Sequence, residues 1–172
     1  MSERVEEVTH WWSLADRVTV IDVVGRLRAR SVLEFGPGSS TVALVDGGAQ
    51  RVDAAEDDLT WYNTHQRRLV ANYPGVVRIY FYVWCDPLTI PTLDARRYDL
   101  GLIDGPRETS RRVATIKYAL DHCAAVLVPL EHEDWRERFD CLLGPVVRFA
   151  GAGRSIEVIQ TGPPSFAMAL VR

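Results

Sequence analysis

The sequence predicts an α/β domain with a doubly wound, mostly parallel sheet of seven strands. Strand-like and helix-like segments alternate along most of the chain, which is the order of parallel βα units. The apolar run 31–35 leads directly into Gly36-Pro37-Gly38 and three hydroxyl residues, which is typical of a strand, a tight turn and a helix N-terminus. The last two apolar runs are joined only by residues 161–165, a connection too short for a parallel crossover, so we expect an antiparallel hairpin there.

The helices are predicted from apolar periodicity and from end signals. Apolar residues recur at steps of three and four from Leu14 to Val24, so they share one face of the first helix. Ser39 or Ser40 is expected to cap the second helix, and Asp58 can cap the third. The predicted helices cover residues 9–29, 39–46, 59–72, 109–122 and 133–142.

The strands are predicted from short runs of β-branched, aromatic and aliphatic residues between turn residues. The fourth of these runs stops at Asp104-Gly105-Pro106. We expect a loop between the third and fourth runs, because Pro87 and Pro91 lie there. The predicted strands cover residues 31–35, 51–55, 76–83, 98–103, 125–130, 155–160 and 166–171.

Length and composition predict one globular domain over residues 1–172, with an N-terminal helical segment over 1–29 and the core over 30–172. The chain is 47% hydrophobic and 25% charged, which is ordinary for a globular protein. A net charge of −3 gives no general electrostatic footprint for nucleic acid, so none is expected as a partner. No apolar run approaches the ~18 residues that span a bilayer, so no membrane partner is expected.

The three cysteines indicate a reducing compartment. Cys85, Cys123 and Cys141 are odd in number, widely spaced and set in apolar surroundings. That pattern favours buried thiols over disulfides or a metal site, and we therefore expect a cytoplasmic protein.

The glycine turn and a later acid predict a cofactor that contains adenosine. Glu56 follows Gly36 by the spacing that places an acid at the tip of the next strand, where it can bond ribose hydroxyls. The dinucleotide fingerprint is incomplete, because Thr41 stands where its third glycine would be. Glu34 lies two residues before the turn and would repel a pyrophosphate. A cofactor with a cationic head fits this loop better.

Two motifs resemble those of the class I Rossmann-like methyltransferases that use S-adenosylmethionine. The first is Glu34-Phe35-Gly36-Pro37-Gly38, and the second is the acid Glu56 at the end of strand two. The run on to Trp61-Tyr62 is similar to a subgroup with E-F-G-S-G-x-S-T followed by V-E-H-D-P-x-W-Y, in which Ser40 also replaces the third glycine. The resemblance covers residues 30–172. It implies S-adenosylmethionine as cofactor, S-adenosylhomocysteine as product, and the family's fold with an antiparallel seventh strand.

The resemblance also implies a role for each cofactor residue. Glu34 would hold the ammonium group, loop amides would meet the carboxylate, Glu56 would accept both ribose hydroxyls, and Asp86 would accept from the adenine amino group. Asp86 also precedes Pro87 as an ordinary turn start would. The implied cofactor-binding residues are Glu34, Gly36, Pro37, Gly38, Ser39, Ser40, Glu56, Asp57, Asp86 and Asp104.

Candidate catalytic residues follow strands four and five, because ligands of such sheets bind outside the carboxyl ends of the strands. Asp104 or His132 could act as the general base. His132 has the more suitable ordinary pKa, about 6.5, although it could equally be a solvated residue of a charged loop. Catechol-type enzymes of the family hold Mg²⁺ with an Asp followed by an Asp-Asn pair. This chain has Glu131-His132 at the pair, so no metal is expected.

The acceptor is predicted by exclusion. Enzymes of the family that methylate amino groups of bases or glutamine carry D/N-P-P-Y/F after strand four, and Asp104-Gly105-Pro106-Arg107 lacks the second proline and the aromatic residue. We therefore expect a small-molecule or sugar-like substrate methylated on oxygen. Two alternatives remain: an NAD(P)-dependent oxidoreductase, opposed by Glu34 and Thr41, and a methyltransferase-like binding or scaffold protein without catalysis. No oligomeric state is predicted.

Overall fold

The computed structural model describes residues 13–106, 108–130, 139–151, 153–161 and 167–172. The described helices are α1 Leu14–Leu27, α2 Ser39–Asp46, α3 Leu59–Asn72, α4 Pro91–Asp94, α5 Thr109–His122 and α6 Phe139–Ala150. The strands are β1 Ser31–Phe35, β2 Arg51–Glu56, β3 Val77–Phe81, β4 Tyr98–Ile103, β5 Cys123–Pro129, β6 Ile156–Gln160 and β7 Ala167–Val171.

The strands form one seven-stranded sheet in the order β3-β2-β1-β4-β5-β7-β6. β1 to β5 pair in parallel, and β7 pairs antiparallel with both β5 and β6. The predicted fold class, including the C-terminal antiparallel hairpin, is thereby confirmed. The strand order changes direction at β1 and β4, and this switch point is where ligands of open α/β sheets bind.

Helices cover both faces of the sheet. Successive side chains of a strand point to opposite faces, and the parallel strands carry apolar side chains on both. One core contains buried residues of α1, α2 and α3, among them Val23, Leu44 and Leu69. The other contains buried residues of α4, α5 and α6, among them Leu93 and Ile116. Phe35, at the tip of β1, is wholly buried in the second core. The glycine turn that follows it therefore starts from a fixed strand.

Three helices differ from the prediction. Helix α1 spans Leu14–Leu27 rather than 9–29, because Ser13 caps its start and Arg28 ends it in a left-handed conformation. Helix α4 forms just where Pro91 occupies its first position, a place at which proline needs no donor. Helix α6 extends to Ala150 and contains Pro145, whereas the sequence predicted a helix over 133–142. Proline inside a helix removes a backbone donor, so Gly144-Pro145 read as a helix end. None of the described helices has the length and hydropathy needed to cross a membrane.

Candidate active site

Backbone hydrogen bonds tie together the loops that follow β1, β2 and β4. The Gly36 amide donates to the Ala55 carbonyl oxygen at 3.1 Å, and the amides of Asp104 and Gly105 donate to the Phe35 carbonyl oxygen at 2.9 and 2.7 Å. These bonds fix the carboxyl ends of the three central strands as one rigid edge. Most of the residues predicted to bind a cofactor lie along this edge.

The two glycines of the turn, Gly36 and Gly38, have different surroundings, because only Gly36 packs against the backbone of Gly105. Gly36 has a φ of +85°, and a Cβ added to it would lie 2.7 Å from the Gly105 amide nitrogen. Gly38 has an extended φ of −178°. A Cβ added to Gly38 would meet no atom within 4 Å. Gly36 is thus required by the fold, whereas the backbone at Gly38 borders open space that a ligand could occupy.

Gly38, and neither Ser39 nor Ser40, is the N-cap residue of α2. Its amide donates to Thr41 Oγ1 at 3.0 Å, which satisfies one of the helix's first backbone donors. The prediction of a serine cap is wrong because the Ser40 hydroxyl bonds two acids from other strands instead.

The Glu34 carboxyl group lies under the glycine turn and is wholly buried. Its Oε1 is 2.6 Å from Ser40 Oγ, and its Oε2 accepts from Thr41 Oγ1 at 2.6 Å. Burial raises the pKa of Glu34 to about 8, although the hydrogen bonds from Ser40 and Thr41 oppose this shift. Since the side chain has no exposed surface, it shapes the loop from below. Its predicted contact with an ammonium group stays a prediction.

Asp104 directly follows β4 at the same edge and is partly exposed. Its Oδ2 lies 3.2 Å from Ser40 Oγ. The Arg112 guanidinium, from α5, donates to the carbonyl oxygens of Asp104 at 2.6 Å and Pro106 at 2.9 Å. Arg112 is buried rather than part of a solvated helix face, and it fixes the loop that carries Asp104. Sequence reasoning missed this role because no motif marks an arginine that bonds carbonyls of a preceding loop.

Glu56 ends β2 and is almost buried. Its Oε1 accepts from the amides of Asp57 and Asp58, both at 2.9 Å. Burial raises the pKa of Glu56 to about 7, and the two amide hydrogen bonds limit the rise. Asp57 pairs with Arg111 of α5 at 3.0 Å, so its carboxylate connects β2 to α5. The predicted cofactor contacts of Glu56 and Asp57 stay predictions.

One residue of α3 and two residues that follow β3 complete this end of the edge. Trp61 Nε1 donates to the Pro37 carbonyl oxygen at 2.8 Å, so α3 supports the glycine turn directly. The Tyr82 hydroxyl is buried and has no hydrogen-bond partner among the described residues. Asp86, the predicted adenine contact, lies exposed in the segment after β3. The role of Trp61 in supporting the turn was not predicted from the sequence.

His132, the second candidate base, lies outside the described residues, as does Glu131. Within the described ranges, no group of three His, Cys, Asp or Glu side chains is arranged to hold a metal ion. The described part of the site therefore consists of acids, hydroxyls and backbone amides.

No protein-family model and no curated protein matches the chain. Solved structures do match over most of its length. An O-methyltransferase from Bacillus cereus in complex with S-adenosylhomocysteine has a TM-score of 0.72 and 22% identity, covering 95% of this chain and 84% of that chain. Cofactor-bound Rv0187 from MTB has a TM-score of 0.73 and 24% identity, covering 96% and 83%. The O-methyltransferase TomG from Streptomyces achromogenes, in complex with S-adenosylmethionine, has a TM-score of 0.70 and 20% identity, covering 93% and 80%.

At these identities the similarity establishes the fold. The strand order, the parallel β1–β5 sheet and the antiparallel β7 agree with what the two sequence motifs imply. The chain therefore has the Rossmann-like fold of the class I S-adenosylmethionine-dependent methyltransferases.

Proposed function

We propose that the protein is an S-adenosylmethionine-dependent methyltransferase that methylates oxygen on a small-molecule or sugar-like acceptor. The observation that carries the proposal is the acidic carboxyl edge of β1, β2 and β4, where Glu34, Glu56 and Asp104 lie around the glycine turn. The carboxyl groups of this edge that are ionised oppose a pyrophosphate and favour a cationic, phosphate-free nucleoside. The cytoplasmic location predicted from the cysteines belongs to the same proposal.

The residues present fit this cofactor group by group. The partly exposed Asp104 carboxylate offers oxygen acceptors for the ammonium group at the mouth of the turn. The amides at the N-terminus of α2 suit its carboxylate. Glu56 can accept from the ribose hydroxyls, and Asp86 from the adenine amino group. Proteins of this fold crystallised with S-adenosylhomocysteine and S-adenosylmethionine support this choice of cofactor.

The chain's own residues would bind the cofactor, orient the acceptor and remove a proton from the acceptor hydroxyl. When bound, S-adenosylmethionine supplies an electrophilic methyl group on a sulfonium. The rigid edge would hold the acceptor oxygen in line with that methyl group, which accounts for much of the acceleration in a displacement reaction. Asp104, or His132, would take the proton that the acceptor hydroxyl loses. The names of the O-methyltransferases among the structural neighbours support oxygen as the acceptor atom.

The cofactor is tested by thermal unfolding with added ligand. S-adenosylhomocysteine at 100 times its Kd should stabilise the protein by ~2.7 kcal/mol, whereas NAD should leave the unfolding temperature unchanged. Glu56→Ala should weaken binding tenfold or more, which is about 1.4 kcal/mol. Asp22→Ala is the matched control, because Asp22 is an exposed acid that pairs with Arg26 on the same helix, α1. Stabilisation by NAD, or full affinity in Glu56→Ala, would contradict the proposed cofactor site.

The reaction is tested by screening hydroxyl compounds for release of S-adenosylhomocysteine from S-adenosylmethionine. The enzyme hypothesis expects release that depends on one class of acceptor. The scaffold alternative expects tight binding of S-adenosylhomocysteine without release for any acceptor.

A further inference from the structure

The Ser40 hydroxyl lies between two carboxyl groups from different strands. Its Oγ is 2.6 Å from Glu34 Oε1 and 3.2 Å from Asp104 Oδ2. A serine hydroxyl has one proton to donate and lone pairs that accept. If both acids were ionised, one carboxylate oxygen would face a lone pair of Ser40 without a proton between them. The geometry is satisfied when one of the two acids carries a proton and donates it to Ser40.

The other oxygen of Glu34 already accepts a hydrogen bond. Thr41 Oγ1 accepts from the Gly38 amide at 3.0 Å, so its own proton is free to be donated to Glu34 Oε2 at 2.6 Å. Glu34 Oε1 is therefore the oxygen that can hold a proton. A separation of 2.6 Å suits a carboxylic acid donating to a hydroxyl as well as a hydroxyl donating to a carboxylate. The surroundings must decide between the two.

Burial and charge assign the proton to Glu34 rather than to Asp104. Glu34 is wholly buried, whereas Asp104 is partly exposed to water. Helix α2 contributes only hydroxyls to Glu34, and the charges acting on it from the ends of β4 and β2 are those of Asp104 and Glu56, both acids. No described cation balances a charge on Glu34. A buried carboxylate without a cation is unfavourable, so the neutral form is preferred.

We propose that Glu34 is a neutral carboxylic acid that donates to Ser40, so that Ser40 donates its own proton to Asp104. Glu34 is in this view a positioning residue: it fixes the direction of the Ser40 hydroxyl and helps to keep Asp104 ionised at the mouth of the turn. The benefit to cofactor binding rests on the proposed function. The place of the proton does not.

The position of the proton is tested by comparing the unfolding free energies of the wild type and Glu34→Gln across a range of pH. Glutamine keeps one donor for Ser40 and one acceptor for Thr41, but it cannot ionise. The pKa of Glu34 is raised to about 8 in the folded protein from 4.5. Stability is therefore present at low pH and is lost as pH rises through this window. The folded-to-unfolded ratio of the wild type should fall, relative to Glu34→Gln, by about tenfold per pH unit between roughly pH 5 and pH 8.

Glu56 also titrates in this range, but it is present in both proteins and cancels in the comparison. Parallel stability curves would overturn the proposal. A measurement on the wild type alone covers the case in which Glu34→Gln does not fold. With ¹³C-labelled glutamate carboxyls, one signal should titrate with a midpoint above that of Glu56, near 8. If no glutamate signal of the folded protein titrates above that of Glu56, the proton is not on Glu34.

The positioning role is tested by rescue. Glu34→Ala should weaken binding of S-adenosylhomocysteine about tenfold, and Glu34→Gln should restore it to within about threefold of the wild type. Wild-type affinity in Glu34→Ala would overturn the positioning role. If S-adenosylhomocysteine binds none of the three proteins, the proposed function fails, while the pH and ¹³C measurements still decide where the proton lies.

Discussion

At the scale of single residues, the two buried acids Glu34 and Glu56, on neighbouring strands, have different roles in the site. Glu34 has no exposed surface and bonds only hydroxyls of α2, so it serves the shape of the turn. Glu56 keeps a small exposed fraction, and one of its oxygens is held by two backbone amides. Glu56 is thus the acid that can turn toward a ligand while the protein holds its other oxygen. Burial raises the pKa of both carboxyl groups. Ionisation of Glu34 lowers the stability of the fold, whereas ionisation of Glu56 is needed for the proposed ribose contact.

Binding of S-adenosylhomocysteine should depend on the ionisation of Glu56. A carboxylate accepts two ribose hydroxyls only when it is ionised, and the pKa of Glu56 is about 7 without ligand. Affinity should therefore be fully present above that pH and should weaken by about tenfold per pH unit as the pH falls below it. Titration calorimetry between about pH 5 and pH 7 measures this slope.

Glu56→Gln should bind more weakly at neutral pH, and the slope should be absent. Asp22→Asn, on the exposed side of α1, should keep the slope of the wild type. A wild-type affinity that is flat over this range would remove the Glu56 carboxylate from the ribose contact.

At the scale of elements, the glycine turn connects β1 to helix α2, and its two glycines have different structural roles. Gly36 has a positive φ and touches Gly105, so it is set by the packing of the β1 and β4 loops. Gly38 has an ordinary extended φ and open space beside it. A methyl group added at each position therefore separates the requirement of the fold from the requirement of a ligand.

Gly36→Ala should destabilise the protein by about 1–3 kcal/mol, because the added Cβ meets the Gly105 amide and the left-handed φ disfavours alanine. Gly38→Ala should unfold within about 0.5 kcal/mol of the wild type but should bind S-adenosylhomocysteine more weakly. Chemical denaturation and calorimetry on the same preparations give both quantities. The turn would not be a ligand surface if Gly38→Ala kept full affinity.

The sequence predicted those elements whose signals are local. The bounds of β1, α2, α3, β4 and α5 agree with the prediction because caps, glycine stops and periodic apolar residues mark their ends. The predicted extent of α6 was wrong, because the helix continues through Pro145. Whether a helix continues through a proline depends on tertiary packing, which local sequence signals do not reveal. Tertiary packing overrides a local breaker there.

For the site, the sequence could place acids at strand ends but could not assign their partners. Glu56 ends β2, Glu34 lies one residue before the end of β1, and Asp104 directly follows β4, as the motif spacing predicts. The bonds from Ser40 to Asp104 and from Arg112 to the same loop join residues far apart or on different elements. Such partners follow from the register of β1 and β4, which a single sequence does not specify.

At the scale of the whole molecule, the sheet encloses one thiol and leaves another accessible. Cys123 begins β5, pairs with Tyr98 of β4, and is buried. Burial raises its pKa to about 12, so little thiolate is present in the folded state. Cys85 lies in the segment after β3 and is partly exposed. Alkylation of Cys123 therefore reports the opening of the sheet, and alkylation of Cys85 reports local access.

Ligand binding should accordingly protect Cys123 through the stability of the entire fold. S-adenosylhomocysteine at 100 times its Kd lowers the unfolded population about 100-fold, so alkylation of Cys123 should slow by the same factor. Rates for each cysteine come from mass spectrometry of peptides after timed alkylation. NAD should change neither rate, and Cys85 should react much faster than Cys123 without ligand. If Cys123 reacted as fast as Cys85 in the folded protein, β5 would open independently of the sheet, and the central position of that strand could not be what protects the thiol.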